Sequence, residues 1–279
     1  MKIKKDEIKK QVRERYAGAA TRQASCCTPS PCGCGETGAD KENESLKVGY
    51  TSEDLARVPN ESNLGLGCGN PAALAGLKKG ETVLDLGAGA GIDCFLASDK
   101  VGPSGRVIGV DMTPEMIDRA RENVRKNGYT NVEFRLGEIE HLPAADNSVD
   151  VIISNCVINL SPEKDRVFRE AFRVLRPGGR MLVSDLVLSR PLPKVLLESA
   201  EVYAACVAGA MLRDDYLREI ESAGFHKVEV VSETSFPADS VLESSQASEI
   251  IRKLKISRKE LTRSLGSVIS LSVRAIKKE

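Results

Sequence analysis

The stretch TVLDLGAGAG at residues 82–91 decides the fold of this chain. A short, mostly apolar strand at residues 82–86 leads into a turn with glycine at every second position, and residues 92–100 continue as a helix. An acid, Asp85, stands two residues before the first glycine. This order is typical of an α/β sheet that binds a nucleotide-like ligand at the carboxyl end of its first strand.

The alternation of strands and helices continues along the chain. Thr113 and Pro114 begin the helix after the second strand, as N-cap and first-turn residue. Strands that alternate with helices form a parallel sheet covered on both faces, which predicts an α/β fold. The further strands are predicted at residues 106–111, 132–136, 149–154, 180–185, 227–231 and 268–275.

The sequence divides into three regions. Residues 1–47 begin with a charged, amphipathic helix that we expect to lie on the domain, followed by a cysteine-rich segment poor in apolar residues. Residues 48–236 contain the predicted sheet and a helical stretch at about 193–211. Residues 237–279 form a small C-terminal region, polar at first, with a short helix at 250–254 and the final strand.

Composition excludes several classes of function. Forty basic residues balance forty acidic ones, so the chain lacks the basic field that draws proteins onto nucleic acids or membrane surfaces. No apolar run reaches the roughly 18 residues that span a bilayer, and the first residues, MKIKKD, lack the apolar core of a signal peptide. We therefore expect a cytoplasmic monomer with a small-molecule substrate and no nucleic-acid or membrane partner.

The glycine spacing separates the candidate cofactors. Dinucleotide-binding turns read G-x-G-x-x-G, which differs from the spacing here. Asp85 would repel a pyrophosphate but attract the ammonium and sulfonium groups of S-adenosylmethionine. Asp111, at the end of the second strand, is placed to accept hydrogen bonds from the ribose hydroxyls, and Ile139 follows the third strand, where adenine would lie. The sequence therefore favours S-adenosylmethionine and disfavours a dehydrogenase.

Residues 79–186 resemble the class I S-adenosylmethionine methyltransferases, and the match extends to RVLRPGG at 173–179. The resemblance implies a Rossmann-like, seven-stranded sheet that is parallel but for one strand, with helices on both faces. It is silent on the methyl acceptor. The residues that it implies for cofactor binding are Asp85, Gly87, Ala88, Gly89 and Gly91 for the methionine part, Asp111 and Met112 for the ribose, Glu138 and Ile139 for the base, and Asn155 at the end of the fourth strand.

Two features of the sequence indicate the methyl acceptor: no histidine stands where a general base is expected, and the chain has eight cysteines. Most methyltransferases position a general base near the sulfonium. The two histidines, His141 and His226, stand away from the strand ends where a base is expected, and we interpret both as surface or structural residues. In a reducing compartment the cysteines favour thiol chemistry or metal binding over a disulfide framework.

Three cysteines stand in distinctive motifs. Cys68 lies in GLGCGNP before the first strand, Cys156 in SNCVINLS at the end of the fourth, and Cys206 in CVAGA on the helix predicted after the fifth. Each alone fits a small core residue. Together these motifs resemble the arsenite methyltransferases over residues 47–236. The resemblance implies that the three cysteines bind arsenic(III) and that arsenite and methylarsenite receive methyl groups in a detoxification reaction.

The chemistry suits thiols. Arsenic(III) is a soft centre, so thiols displace its hydroxyls as water and leave a neutral complex with a lone pair. That lone pair carries no proton and attacks the methyl carbon without a general base, so positioning is the main catalytic contribution. We expect Cys156 and Cys206 to act in every round. Cys68 is needed for the first round and less for a second, because a monomethyl arsenical has one fewer site for a thiolate.

The remaining cysteines leave alternatives open. Capture and hand-over of arsenite, resolving thiols that re-reduce the site, and a structural metal clip all fit the cysteine-rich segment, although its spacing differs from the usual C-x2-C of zinc sites. We expect a thiol reductant as co-substrate, either thioredoxin as a partner or glutathione. Cys94 fits buried packing. The cysteines of the segment are Cys26, Cys27, Cys32 and Cys34.

Two other functions stay open at this point. The chain fits another small-molecule class I methyltransferase in which the cysteines are incidental. It also fits a non-catalytic metalloid-binding protein that has kept the fold. The intact glycine turn and Asp111 favour an enzyme over the second alternative.

Overall fold

A computed structural model describes residues 5–21, 38–235 and 245–279. Its sheet has seven strands in the order β3-β2-β1-β4-β5-β7-β6. β7 pairs antiparallel with both β5 and β6, and all other neighbouring strands pair parallel, so the predicted Rossmann-like sheet is confirmed. The strands are β1 (Thr82–Leu86), β2 (Arg106–Asp111), β3 (Val132–Leu136), β4 (Val149–Asn155), β5 (Leu175–Leu188), β6 (His226–Ser235) and β7 (Val268–Ile276).

Helices cover both faces and the carboxyl edge of this sheet. The helix predicted after the glycine turn is α5 (Ile92–Val101), and the helix predicted after the second strand is α6 (Pro114–Asn127). α6 begins with Pro114 after Thr113, and the left-handed Gly128 ends it. The described helices are α1 (Lys5–Thr21), α2 (Gly38–Lys47), α3 (Ser52–Arg57), α4 (Pro71–Leu74), α5 (Ile92–Val101), α6 (Pro114–Asn127), α7 (Lys164–Val174), α8 (Lys194–Leu197), α9 (Ala200–Ala204), α10 (Arg213–Ser222), α11 (Ser245–Leu254) and α12 (Arg258–Leu265).

Alternating side chains on the strands build one apolar core on each face of the sheet. Val83 and Val151 belong to the cluster that includes Phe95 of α5, whereas Leu84 and Ile152 belong to the cluster on the other face. Successive residues of a strand point to opposite faces, so both clusters follow from one apolar run per strand. The sheet is thereby a rigid support for the residues at its carboxyl edge.

The strand order changes direction between β1 and β4, with β2 and β3 on one side and β5 on the other. Ligands of open α/β sheets bind beyond the carboxyl ends of the strands at this switch point. Asp85, Asp111 and Asn155 lie at or near the carboxyl ends of β1, β2 and β4. The topology therefore places all three at one edge of the sheet.

Two predicted elements differ from the structure. The turn predicted at 176–179 is an irregularity inside β5, where the register against β4 shifts. The helical stretch predicted at 193–211 is wrong, since α8 and α9 are short and Cys206 follows them in a left-handed turn. The alanine-rich sequence favours a helix locally. Packing overrides that preference, because Gly209 approaches the Asn159 carbonyl so closely that a Cβ would lie 2.1 Å from its oxygen.

The C-terminal region contributes to the same sheet as the central one. β7 comes from residues beyond 236 and lies between β5 and β6. α11 extends the short helix predicted at 250–254. The division of the chain at residues 47 and 236 stays a prediction. No helix among the described residues is long and apolar enough to cross a membrane.

Candidate active site

A cleft of ≈ 1040 Å³, part of it open to solvent, lies beyond the carboxyl ends of β1, β2 and β4. This volume suits a small-molecule or cofactor site. The turn after β1 and the ends of β2 and β4 line the cleft, and α1 contributes side chains to it. Eight of the ten predicted cofactor residues, all of them in the described part of the chain, line it: Asp85, Gly87, Ala88, Gly89, Asp111, Met112, Ile139 and Asn155.

The other two predicted cofactor residues have different contacts. Gly91 is the left-handed N-cap of α5 and lies against the rings of Phe95 and Phe134. Glu138 accepts a hydrogen bond from Nζ of Lys9 on α1, at 2.7 Å. Gly91 therefore shapes the turn, and Glu138 holds α1 at the edge of the cleft.

The glycine turn leaves its backbone open to a ligand. Gly87 has a φ of 67°, and a Cβ there would lie 2.3 Å from Cγ2 of Val157. The Ala88 N–H donates to the Val110 carbonyl at 2.9 Å, which ties the turn to β2. A side chain at Gly87 would therefore displace Val157 or open the turn.

Three carboxyl groups give the cleft an acidic character. Burial and the neighbouring Asp93 charge raise the pKa of Asp85 well above its usual range. Burial also raises the pKa of Asp93 to about 6, and it raises the pKa of Asp111 despite backbone donors. The negative charges are therefore poorly compensated, and a cationic ligand would be favoured beside them. The ammonium and sulfonium groups of S-adenosylmethionine fit this requirement.

Asp111 is held in one orientation by the backbone. Its Oδ2 accepts from the Gly89 N–H at 2.9 Å and its Oδ1 from the Thr113 N–H at 2.8 Å. Each carboxylate oxygen keeps a further lone pair. Asp111 can therefore accept hydrogen bonds from two neighbouring hydroxyls, as a ribose would offer.

The structure brings Cys68, Cys156 and Cys206 together beside this cleft. Cys156 and Cys206 belong to one buried apolar cluster, and Cys68 packs against it. The Cys206 thiol donates to the Cys156 carbonyl, and the Cys68 thiol and the Cys156 N–H share the Ser184 carbonyl. Cys156 also lines the cleft. Cys156 and Cys206 are buried and Cys68 is partly buried. Segments before β1, after β4 and after α9 therefore contribute one thiol each to a single cluster, called the thiol cluster below.

Backbone carbonyls fix the present directions of the thiols. The Ser184 carbonyl of β5 accepts from the Cys156 N–H at 2.7 Å and from the Cys68 thiol at 3.4 Å. The Cys206 thiol donates to the Cys156 carbonyl at 3.1 Å. Among residues 5–21, 38–235 and 245–279, no three His, Cys, Asp or Glu side chains are already arranged to hold a metal ion. Two thiols must therefore turn away from these carbonyls before all three share a ligand.

Two members of the thiol cluster have a strained backbone. Cys156 and Cys206 have φ angles of 58° and 64°, in the left-handed region that residues other than glycine rarely adopt. Such conformations cost on the order of 1 kcal/mol or more each, and they concentrate at functional sites. The strain supports a functional interpretation of these cysteines over simple core packing.

The thiols are protonated at neutral pH. The hydrogen bond to Cys156 and burial raise the pKa of Cys206 well above its usual value. The pKa of Cys156 is also well above its usual value, since the hydrogen bond with Cys206 lowers it but the hydrogen bond with Cys68 and burial raise it more. Burial raises the pKa of Cys68 despite its hydrogen bond with Cys156. The cluster is therefore suited to a neutral ligand.

Sequence reasoning missed several charged and aromatic residues that line the cleft, among them Asp93, Lys9, Tyr16 and Tyr50. Asp93 follows the glycine turn by two residues, so its position near the strand end was a usable signal. Lys9, Tyr16 and Tyr50 come from segments far from the turn, and no local pattern marks them. The Tyr16 hydroxyl lies 3.9 Å from Sγ of Cys206, so α1 reaches the thiol cluster as well as the cleft.

The remaining residues singled out from the sequence have simpler positions. His141 and His226 are exposed, and His141 contacts Arg166. Cys94 is fully buried, as its predicted packing role requires, and its thiol donates to Oδ2 of Asp85 at 3.3 Å. The four cysteines of the N-terminal segment, Cys26, Cys27, Cys32 and Cys34, lie outside the described residues.

Comparison with known proteins places the glycine turn, Cys156 and Cys206 in a methyltransferase domain, whereas Cys68 precedes it. The family model for a methyltransferase domain matches residues 77–224. An arsenite methyltransferase of Halobacterium salinarum is 52% identical over 237 residues, which are 81% of this chain and 59% of that protein. The arsenite methyltransferase of Aquipseudomonas alcaligenes is 45% identical over 57% of this chain and 47% of its own. The chain thus spans about half to three fifths of these curated relatives.

A solved structure gives the same result. An arsenic(III) S-adenosylmethionine methyltransferase from Chlamydomonas reinhardtii superposes with a TM-score of 0.61 and 32% identity. The match covers 85% of this chain and 73% of that one.

Proposed function

This chain belongs to the arsenite methyltransferases within the S-adenosylmethionine-dependent methyltransferase family, and on that premise we propose that it transfers methyl groups from S-adenosylmethionine to arsenic(III) held by cysteine thiolates. The observation that carries the proposal is the meeting of three thiols beside a cleft lined with acids. The thiols select a soft acceptor, and the acids select a cationic donor.

The donor side of the cleft is suited to hold a cation, because buried acids line it. S-adenosylmethionine, when bound, supplies an electrophilic methyl group on a positively charged sulfur. Asp85 and the glycine turn would hold its methionine part, Asp111 and Met112 the ribose, and Ile139 the base. Val12 and Tyr16 of α1 line the same cleft.

On the acceptor side, Cys68, Cys156 and Cys206 exchange with the hydroxyls of arsenite. Each thiol proton leaves with one hydroxyl as water, so the three exchanges bind arsenic without net uptake or release of protons. The neutral thiols described above are therefore in the right form for the reaction. The bound arsenic keeps a lone pair that needs no deprotonation, which agrees with the positions of His141 and His226 on the surface.

Methylation through the lone pair leaves arsenic two electrons more oxidised. Two of the arsenic-bound thiolates can return those electrons, since two As–S bonds break as one S–S bond forms and arsenic becomes trivalent again. A thiol reductant then reduces the disulfide to two thiols. We propose thioredoxin or glutathione as that reductant, and delivery of arsenite by the cysteines of the N-terminal segment as one role for that segment. We also propose that the protein acts as a cytoplasmic monomer in arsenic detoxification.

Mass spectrometry of arsenicals tests this function directly. The chain is incubated with arsenite, S-adenosylmethionine and a thiol, and the expected product is a methylated arsenical whose methyl group derives from labelled donor. The matched controls omit the donor or use Cys156→Ser, and neither should form product. An active methyltransferase with only organic acceptors would contradict the proposal, and so would a chain that binds arsenite but not the donor.

A further inference from the structure

The amide of Asn155, at the end of β4, is the centre of a hydrogen-bond network between the cleft and Cys68. Its Nδ2 carries two hydrogens and lies within hydrogen-bond distance of three acceptors, the Gly69 carbonyl at 2.8 Å, the Tyr50 hydroxyl at 2.9 Å and Oδ2 of Asp93 at 3.1 Å, so two of them share one hydrogen. Its Oδ1 accepts from the Cys68 N–H at 2.9 Å. One side chain therefore holds the backbone on both sides of the Cys68 thiol.

The Cys68 loop approaches this amide as closely as its backbone allows. A Cβ at Gly67 would lie 2.7 Å from Nδ2 of Asn155. The Cys68 carbonyl also accepts from the Ser270 hydroxyl at 2.7 Å. The loop is therefore positioned by contacts on its backbone, and the direction of the Asn155 amide decides whether the Cys68 N–H meets an oxygen or a nitrogen.

Tyr50 and Asp93 fix that direction. The buried Tyr50 hydroxyl donates to the Asp93 carboxylate, at 2.9 and 3.0 Å from its two oxygens, so it is left to accept from Asn155. Asp93 is buried as well and can only accept while it is ionised. Both groups therefore favour the amide nitrogen on their side and the amide oxygen toward Cys68.

We propose that Tyr50 and Asp93 are positioning residues for Cys68, acting through the side chain of Asn155, and that they set the preference for arsenite over methylarsenite. This inference rests on the proposed function. Arsenite offers three hydroxyls for three thiolates, whereas methylarsenite offers two and needs Cys68 less. Arsenite therefore depends more strongly on the position of the Cys68 loop.

The backbone N–H groups of the other two cysteines donate to carbonyls that Tyr50 and Asp93 do not contact. The Cys156 N–H donates to the Ser184 carbonyl and the Cys206 N–H to the Tyr203 carbonyl, at 2.7 and 2.9 Å. Loss of the Tyr50 hydroxyl leaves both of these bonds in place. A purely structural role for Tyr50 would instead weaken turnover of both substrates together.

The test is Tyr50→Phe, which keeps the ring and removes the hydroxyl. Initial rates are measured with arsenite and with methylarsenite separately, at saturating S-adenosylmethionine. We expect kcat/KM for arsenite to fall roughly tenfold, as expected when a buried hydrogen-bond partner is lost, and kcat/KM for methylarsenite to stay within about twofold. Asp93→Asn is the second variant. Because Asp93 is also an acid of the donor side, turnover of both substrates should fall, and the support for the inference is the ratio of kcat/KM for arsenite to that for methylarsenite, which should fall as it does in Tyr50→Phe.

Binding provides a readout that does not depend on turnover. Calorimetry without the methyl donor should show roughly tenfold weaker arsenite binding to Tyr50→Phe and unchanged methylarsenite binding. The matched control is Tyr129→Phe, because Tyr129 packs its ring on Phe95 and does not line the cleft. Its affinity for both arsenicals should equal that of the unmodified chain.

The outcomes separate this inference from the proposed function. Equal losses for the two arsenicals in Tyr50→Phe, or no loss for either, overturn the inference while the unmodified chain still methylates arsenite. Failure of the unmodified chain to form any methylated arsenical overturns the proposed function instead, and the calorimetric difference between arsenite and methylarsenite then still decides the role of Tyr50.

Discussion

The glycine turn and the thiol cluster lie at the same edge of one sheet, but the chain builds them in different ways. The turn is one continuous segment, shaped by left-handed glycines and tied to the neighbouring strand by the Ala88 N–H. The thiol cluster combines Cys68, Cys156 and Cys206 from three remote segments, and two of these cysteines have a strained backbone. The donor side therefore depends on local sequence, and the acceptor side depends on long-range packing.

The two sides also differ in charge. Asp85, Asp93 and Asp111 make the donor side acidic. On the acceptor side the thiols are neutral, and the nearest buried acid on β5, Asp185, has its pKa raised to about 7 by burial even though it accepts a hydrogen bond from Tyr216. A cationic donor and a neutral acceptor can thus bind side by side without competing for the same groups.

The largest expected effect comes from Cys156→Ser or Cys206→Ser. A hydroxyl is a poor ligand for a soft centre, so arsenic would lose its position relative to the donor. We expect turnover of both arsenite and methylarsenite to fall roughly 1000-fold, as for a loss of reactant positioning. Calorimetry should find the affinity for S-adenosylmethionine within about twofold of the unmodified chain. A comparable loss of donor affinity would show that the two sides are not separate.

A smaller effect is expected from the reciprocal change on the donor side, Gly87→Ala. The added Cβ meets Val157 and takes a left-handed φ, so donor affinity should fall roughly tenfold or more. Gly128→Ala is the matched control, because Gly128 has a similar φ of 69° but open space around its Cβ position. Arsenite binding measured without donor should be unchanged in both variants. If Gly87→Ala and Gly128→Ala had equal donor affinities, any loss of affinity would come from backbone strain and not from the contact with Val157.

The same difference explains how much the sequence could predict. The strand, turn and helix around Asp85 were predicted because glycine spacing and apolar periodicity act within ten residues. The positions of Asp111 and Asn155 followed from the rule that parallel strands end at one edge. The parallel sheet was predicted from the alternation of strands and helices. Its one antiparallel strand was predicted from the resemblance to the class I methyltransferases.

The acceptor side was harder to predict because its geometry is decided by contacts between remote segments. The sequence around Cys206 favours a helix, yet packing of Gly209 against the Asn159 carbonyl turns the chain and places Cys206 in a left-handed conformation. The network through Tyr50 to the Cys68 loop joins residues before β1 to the last residue of β4. No short-range pattern encodes such a contact.

The charge difference predicts how stability depends on pH. The pKa of Asp185 is about 7 in the folded chain and 3.8 as its ordinary value, because burial disfavours the charged form. A raised carboxyl pKa gives stability that is present at low pH and lost as pH rises from about 4 through 7. Lys164, whose pKa burial lowers to about 8, stays protonated in this window.

Asp185→Asn should therefore remove part of this pH dependence. The compared quantity is the free energy of unfolding of the unmodified chain minus that of Asp185→Asn. We expect this difference to fall from pH 5 to pH 7, by at most about 1.4 kcal/mol per pH unit. Urea unfolding at three pH values measures this difference. Parallel pH profiles for the two proteins would contradict the raised pKa of Asp185, and would remove one distinction between the two sides.

The smallest effects are expected from α1, which touches both sides. Lys9 pairs with Glu138 at 2.7 Å and with the buried Glu140 at 3.2 Å, and Tyr16 lies 3.9 Å from Sγ of Cys206. Burial tends to lower the pKa of Lys9, but these two acids raise it above its ordinary value. Lys9 is therefore a stable cation on the donor side.

Steady-state kinetics of two α1 variants can show whether this helix joins the two sides. Lys9→Met should raise the KM for S-adenosylmethionine by roughly threefold, because it frees the loop that carries Ile139, and should leave the KM for arsenite unchanged. Tyr16→Phe should raise only the KM for arsenite, by roughly twofold, since one weak hydrogen bond to sulfur is lost. If each variant raised both KM values together, α1 would act as one rigid cover, and the local donor side and the long-range acceptor side would form a single coupled site.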